Sequence, residues 1–171
     1  ITRFEANQLP YNLLWRAIEF DIVQACQEDD IGIIGYSPLL HGLLSGNFSS
    51  PDEFPESRAR TRHFSKNRPT VRHEEPGCEE ETFATINRIR RISAAIGCSM
   101  PEIALSWVLQ RPGVISVATG ARNADQVHQN VRALELELTP QILQELDEAT
   151  NGLKLTLGPN PDLWQSASRY R

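Results

Sequence analysis

The chain has 171 residues, 40% apolar and 23% charged, with 17 basic against 22 acidic side chains and a net charge of −5. That length gives one domain; the acidic balance argues against a nucleic-acid surface; no run approaches the roughly 20 apolar residues of a membrane-spanning helix. Three widely spaced cysteines, Cys26, Cys78 and Cys98, fit a reduced cytoplasmic protein better than a disulfide framework. No C-x-x-C and no histidine pair at metal spacing occurs, so no metal site is expected.

In chain order, residues 1–8 read as an extended segment and 9–12 as a turn around Pro10. Residues 13–27 carry Leu14, Ile18, Ile22, Val23 and Cys26 at helical spacing. Residues 31–37 form a short β-branched apolar run, a strand buried on both faces, stopped by Pro38. Residues 42–78 hold Pro51, Pro55, Pro69 and Pro76 with little period and read as a long loop. A helical pattern returns over 80–97. Ser99 then caps another helix, with Pro101 in its first turn and Ile103, Ala104, Trp107 and Val108 inward. Residues 114–119 are the second buried strand, Asn123 caps a helix to about Leu134, and Thr139-Pro140 opens a last one. Residues 151–171 read as an irregular tail. Strands alternating with helices imply a parallel α/β sheet. Three parallel strands alone leave two open edges and one uncovered face.

The strand, glycine turn and helix start over 114–130 can hold a phosphate. Free N–H groups at a helix start attract anions, and Arg122 adds a charged fork. Gln126 lies one turn on, on the same face. As bare residue types, these side chains also fit a solvated helix face. The basic run from Arg58 to His63 reads as a solvated loop, or as a flap that approaches a phosphate. The four histidines are scattered, and none has a partner that suggests catalysis.

The run 36–46, Tyr-Ser-Pro-Leu-Leu-His-Gly-Leu-Leu-Ser-Gly, is similar to the segment after the seventh barrel strand of the aldo-keto reductases. Ala104-Leu-Ser-Trp-Val-Leu109, Pro112-Gly-Val114, the stretch from Gly120 to Asn130, and Thr139-Pro140 resemble that family's subsequent segments, in the same order. Asn7-Gln-Leu-Pro-Tyr-Asn12 resembles the end of its sixth strand. The likeness runs over roughly residues 5–150. It implies the C-terminal portion of a (β/α)8 TIM barrel: a single partial domain whose N-terminal half lies outside these residues. The absence of an initial Met agrees with that expectation, and Leu163-Trp-Gln-Ser166 looks like a natural end.

The resemblance implies NADP(H) as cofactor. Tyr36 would stack on the nicotinamide and Gln8 would bond its carboxamide. Ser37, Pro38, Leu39 and Gly42 would border the pyrophosphate. Gly120, Ala121, Arg122 and Gln126 would take the 2′-phosphate end, and Gln129 and Asn130 the adenine. Tyr36 equally fits a strand-end filler, and Gln8 an interior polar residue paired with its neighbours. Two positions depart from the family pattern: Gln129 stands where an acidic residue is common, and Asn47 where a lysine is common. The family's catalytic tyrosine, lysine, aspartate and histidine have no counterpart here, so no catalytic residue is assigned. The expected parent is an NADP-dependent oxidoreductase that reduces aldehydes or ketones, with a small-molecule carbonyl substrate and no nucleic-acid or membrane partner. The isolated chain would be inactive, with self-association possible through open strand edges. The alternatives are a non-catalytic NADPH-binding or regulatory module, or a truncated product without function.

Overall fold

A computed structural model describes residues 3–164. Three parallel strands, β1 (Ala6–Pro10), β2 (Gly32–Tyr36) and β3 (Val114–Ala118), lie in the order β1-β2-β3. Gln8 pairs with Ile34 and Ile34 with Ser116; Pro10 pairs with Tyr36 and Tyr36 with Ala118. The C-terminal ends of all three strands therefore align along one edge. Gly32 gives the sheet its close approach, because a Cβ there would come within 2.4 Å of the Ile115 side chain.

The helices α1 (Ile22–Glu28), α2 (Glu79–Ala95), α3 (Met100–Leu109), α4 (Ala124–Glu135) and α5 (Pro140–Leu157) flank the sheet. Their starts are set by side chains. Ser99 Oγ accepts from Glu102 N while the Glu102 carboxylate accepts from Ser99 N at 2.8 Å, a reciprocal capping box on α3. Asn123 caps α4, and Thr139 caps α5 with Pro140 behind it. The core gathers Ile33 of β2, Ile103, Trp107 and Val108 of α3, Ile86 and Ile89 of α2, and Leu146 and Leu153 of α5. Among the described residues, no single helix is long and apolar enough to cross a membrane.

Four sequence expectations change. β3 is not buried: Ile115 is 64% exposed, because β3 is an edge strand and the face carrying Gln8, Ser116 and Ala118 is open. The helix expected over 13–27 starts only at Ile22. Asn12 accepts from Leu14 N at 2.9 Å and bridges Trp15, and such local bonds compete with a helix. α5 runs to Leu157, past the start of the expected tail, on a buried stripe of Leu146, Thr150, Leu153 and Leu157. Thr150 interrupts the apolar pattern, but its hydroxyl is satisfied by Leu146 O at 2.8 Å. The 42–78 segment contains short 3-10 turns at Pro51–Glu53 and Glu56–Arg58 and buries Phe54, Phe64, His63 and His73. Its Arg62 is 5% exposed and clamped to Glu75 at 2.8 Å and Leu157 O at 2.7 Å, which makes it a buried tie between loop and α5 rather than part of a flap.

A second ionic knot joins the segment after β1 to α5. Glu19 accepts from Arg16 at 2.7 Å, Lys154 at 2.9 Å and the Tyr11 hydroxyl at 2.8 Å. Burial works against the Glu19 charge, but the hydrogen bonds and charge of Arg16, with Lys154 and Tyr11, outweigh it and pull the carboxyl down to about 2. Burial and the same carboxylate push the Tyr11 phenol far above its ordinary value.

Candidate cofactor site

Ligands of open α/β sheets gather at the C-terminal ends of the strands, and a cleft lies there. Its first wall follows β2. Ser37 leaves the strand at φ 54, and after Pro38 and Leu39 come Leu40 (φ 41), His41 (φ 56) and Gly42 (φ 97). Three non-glycine residues in the left-handed region within five positions are costly, and persist only where the surroundings over-determine them. The carbonyls of Ser37 and Leu39 accept from Leu40 N and Gly42 N, each at 2.9 Å.

The second wall follows β3. Asn123 accepts from Gln126 N at 2.9 Å, and Gln126 turns back to accept from Arg122 N at 2.8 Å. Gln129 donates to Ser99 Oγ at 3.2 Å and Asn130 to Gly120 O at 3.5 Å. The exposed Arg122 guanidinium has no hydrogen-bond or ion-pair partner among the described residues. Between the walls is a cleft of about 490 Å³, lined by Leu39, Gly42, Gly120, Arg122, Gln126, Gln129 and Asn130 of the sequence-predicted set.

Five predicted residues do not line it. Gln8 and Tyr36 lie on the open sheet face, Gln8 midway along β1 and Tyr36 at the end of β2, two rungs of one ladder apart. Ser37 and buried Pro38 form the bend that aims the first wall. Ala121 faces a neighbouring groove with Val117, Val127 and Val131.

The cleft also recruits His41, Ser45, Asn47, Phe48, Arg58 and Pro101. Arg58 opens the run read as a solvated loop or as a flap that approaches a phosphate, and the structure brings it to the cleft wall. Its guanidinium lies over the rings of Phe48 and Phe54, 5.5 and 5.4 Å from their centroids, and donates to His41 O at 3.1 Å. Gly42 makes room for it, since a Cβ there would stand 3.0 Å from Arg58 Nη1. The linear signal for it was the basic run from Arg58 to His63.

Among the described residues, no carboxylate lines the cleft, although the chain carries 22 acidic residues. Two guanidiniums enter from opposite walls, with amides and a hydroxyl between them. That composition suits a ligand with several phosphate oxygens and offers no carboxylate to repel it. Among the described residues, His41 is the one histidine that lines the cleft. Partial burial, then Arg60 and Arg58, pull its imidazole below its ordinary value. Among the described residues, no group of His, Cys, Asp and Glu could hold a metal ion.

Residues 1–151 match the profile of the Aldo/keto reductase family. An aldo-keto reductase of Schizosaccharomyces pombe, yakc, whose name specifies NADP(+), is 24% identical over 159 residues, covering 91% of this chain and 43% of that protein. The solved structure of a glycerol dehydrogenase from Gluconobacter oxydans superposes with a TM-score of 0.67 at 25% identity, covering 92% of this chain and 44% of that one. The chain thus spans less than half the length of both relatives, and its sheet and helices correspond to part of a (β/α)8 barrel.

Proposed function

The chain belongs to the aldo/keto reductase family of oxidoreductases, and from that premise we propose that it forms the NADP(H)-holding part of an enzyme that reduces aldehydes or ketones to alcohols. The carboxylate-free cleft with Arg58 and Arg122 on facing walls carries this reading. The NADP(+) in the name of the fission-yeast relative agrees with it.

In this reading Arg122 and Gln126 hold the 2′-phosphate, with the backbone of Gly120 and Ala121 beside them. Gln129 and Asn130 face the adenine. Ser37, Leu39 and Gly42 border the pyrophosphate with Pro38 fixing the bend, and Arg58 supplies the charge that Asn47 lacks. Tyr36 and Gln8, on one open sheet face, flank the nicotinamide, which when bound would donate hydride to the substrate carbonyl. The protein's part in these residues is to bind and orient. Among the described residues, the cleft lining holds no group placed to deliver a proton; in this reading carbonyl reduction draws on residues outside this chain, and the chain alone holds cofactor without turnover. The same observation favours the second reading, a non-catalytic NADPH-binding module.

Three free thiols suit a reducing cytoplasm, and the open edges of β1 and β3 suit self-association.

The test is titration of the chain with NADPH and NADH, followed by nucleotide fluorescence. Saturable NADPH binding is expected. Arg122→Ala should weaken NADPH by about 10- to 100-fold, the worth of a charged hydrogen-bonded contact, and leave NADH nearly unchanged. Equal loss for both nucleotides would remove Arg122 from the 2′-phosphate; no binding of either would sink the proposal. Carbonyl-dependent NADPH oxidation by the pure chain would overturn the claim that it does not turn over.

A further inference from the structure

Asn12 does not line the cleft, yet it is wired to the cleft's most strained wall. It is fully buried, where an amide must find all its partners. Its backbone exchanges hydrogen bonds with Trp15, N to O at 3.2 Å and O from N at 3.0 Å. Its Oδ1 accepts from Leu14 N at 2.9 Å. These bonds close a tight turn after β1 and fix the orientation of the amide. The remaining group, Nδ2, crosses to the neighbouring strand's exit and donates to Ser37 O at 3.0 Å.

That carbonyl belongs to the first left-handed residue of the wall, at φ 54, and also accepts from Leu40 N at 2.9 Å. Pro38 follows it, which restricts Ser37 further and removes the next backbone donor. A strained serine of this kind needs an external hold, and among the described residues the Asn12 amide is the one side chain that bonds its carbonyl.

We propose that Asn12 is a positioning residue for the nucleotide cleft: anchored on the turn after β1, its side-chain amide holds Ser37 left-handed and thereby sets the wall from Ser37 to Gly42. The consequence for cofactor affinity rests on the NADP(H) reading above; the consequence for the wall does not.

Two variants separate the turn from the tether. In Asn12→Ser the hydroxyl still accepts from Leu14 N, as serine does in such turns, but does not reach Ser37. In Asn12→Asp the shape is kept and the donor becomes an acceptor facing a carbonyl. Leu153→Ala, buried in α5 outside the cleft, serves as the control for general destabilisation. Melting temperature, amide exchange at Leu40 and Gly42 relative to α3 amides, and NADPH affinity are measured on each. In either Asn12 variant, exchange at Leu40 and Gly42 should rise at least tenfold over the α3 amides, and the NADPH Kd about tenfold. Leu153→Ala should lower the melting temperature and move neither. If both Asn12 variants leave Leu40 exchange unchanged, or if the control weakens NADPH equally, the proposal is overturned. If the wild-type chain binds no NADPH, the function above falls, while the exchange ratio still decides whether Asn12 holds the wall.

Discussion

His63 is completely buried, with Nε2 against Leu14 O at 2.9 Å and Nδ1 against Thr61 Oγ1 at 3.0 Å. Burial is the main reason that its imidazole titrates at about 4 rather than near 6.5; Leu14 O opposes this and Arg62 adds to it. The folded state therefore prefers neutral His63. Its contribution is fully present above pH 6.5, is lost as pH falls from 6.5 to 4, and amounts to roughly 3 kcal/mol at most. Below pH 4.5 a second loss begins as Glu19, held at about 2, takes up protons in the unfolded chain first. Denaturant unfolding between pH 8 and 4 should show the first decline, and His63→Gln should flatten it. An equal decline in the variant would place the effect elsewhere. At this scale the sequence showed Arg122, Gln126, Gln129 and Asn130, because one helix start presents them together. It left Arg58 between two readings of one basic run and hid Asn12, because their partners at His41 and Ser37 are 17 and 25 residues away.

Elements whose ends are written in local chemistry are legible in the sequence. Ser99 and Glu102 announce α3, Asn123 announces α4, and Thr139 with Pro140 announces α5. Ser99→Ala removes the cap and should cost about 1 kcal/mol in a thermal or denaturant melt; a neutral result would show that water replaces the hydroxyl. Because Ser99 Oγ also receives Gln129 Nε2, the same variant should loosen Gln129 and weaken NADPH slightly, by less than Arg122→Ala does. Elements whose fate depends on neighbours are not legible in this way. The apolar run of β3 signals a strand covered on both faces, and nothing within it says that β3 stands at the edge of the sheet. The delayed start of α1 comes from one asparagine side chain, invisible to periodicity.

For the whole molecule, the parallel α/β order and the open edges are both legible, since alternation and strand number follow from the pattern alone. The apolar side chains left outside make the consequence concrete. Ile115 is 64% exposed on β3, and Val127, Val131 and Leu134 are 49%, 48% and 68% exposed on α4. A parallel edge with such a flank invites pairing. The chain should self-associate with rising concentration in sedimentation velocity, and Ile115→Lys with Leu134→Lys should return it towards monomer. Concentration-independent monomer for the wild type would show that the edges protect themselves.

The 42–78 segment carries a last consequence, for proteolysis. Its proline and arginine content looks like a linker that trypsin would shred. Yet Arg62 is buried under Glu75 and the end of α5, and Arg68 is fastened to Glu56 and Glu79 and followed by Pro69. Gly77 pins the far end, where any Cβ would collide with Phe64 O at 2.1 Å. Arg58 is held to His41 O and over Phe48 and Phe54, and nicking concentrates at exposed, unbonded tips, which leaves Arg60, Lys66 and Arg72 as the bonds a protease can address. Ligand at the neighbouring Arg58 would protect Arg60 first, so a timed digest becomes a readout of cleft occupancy that needs no enzymatic turnover.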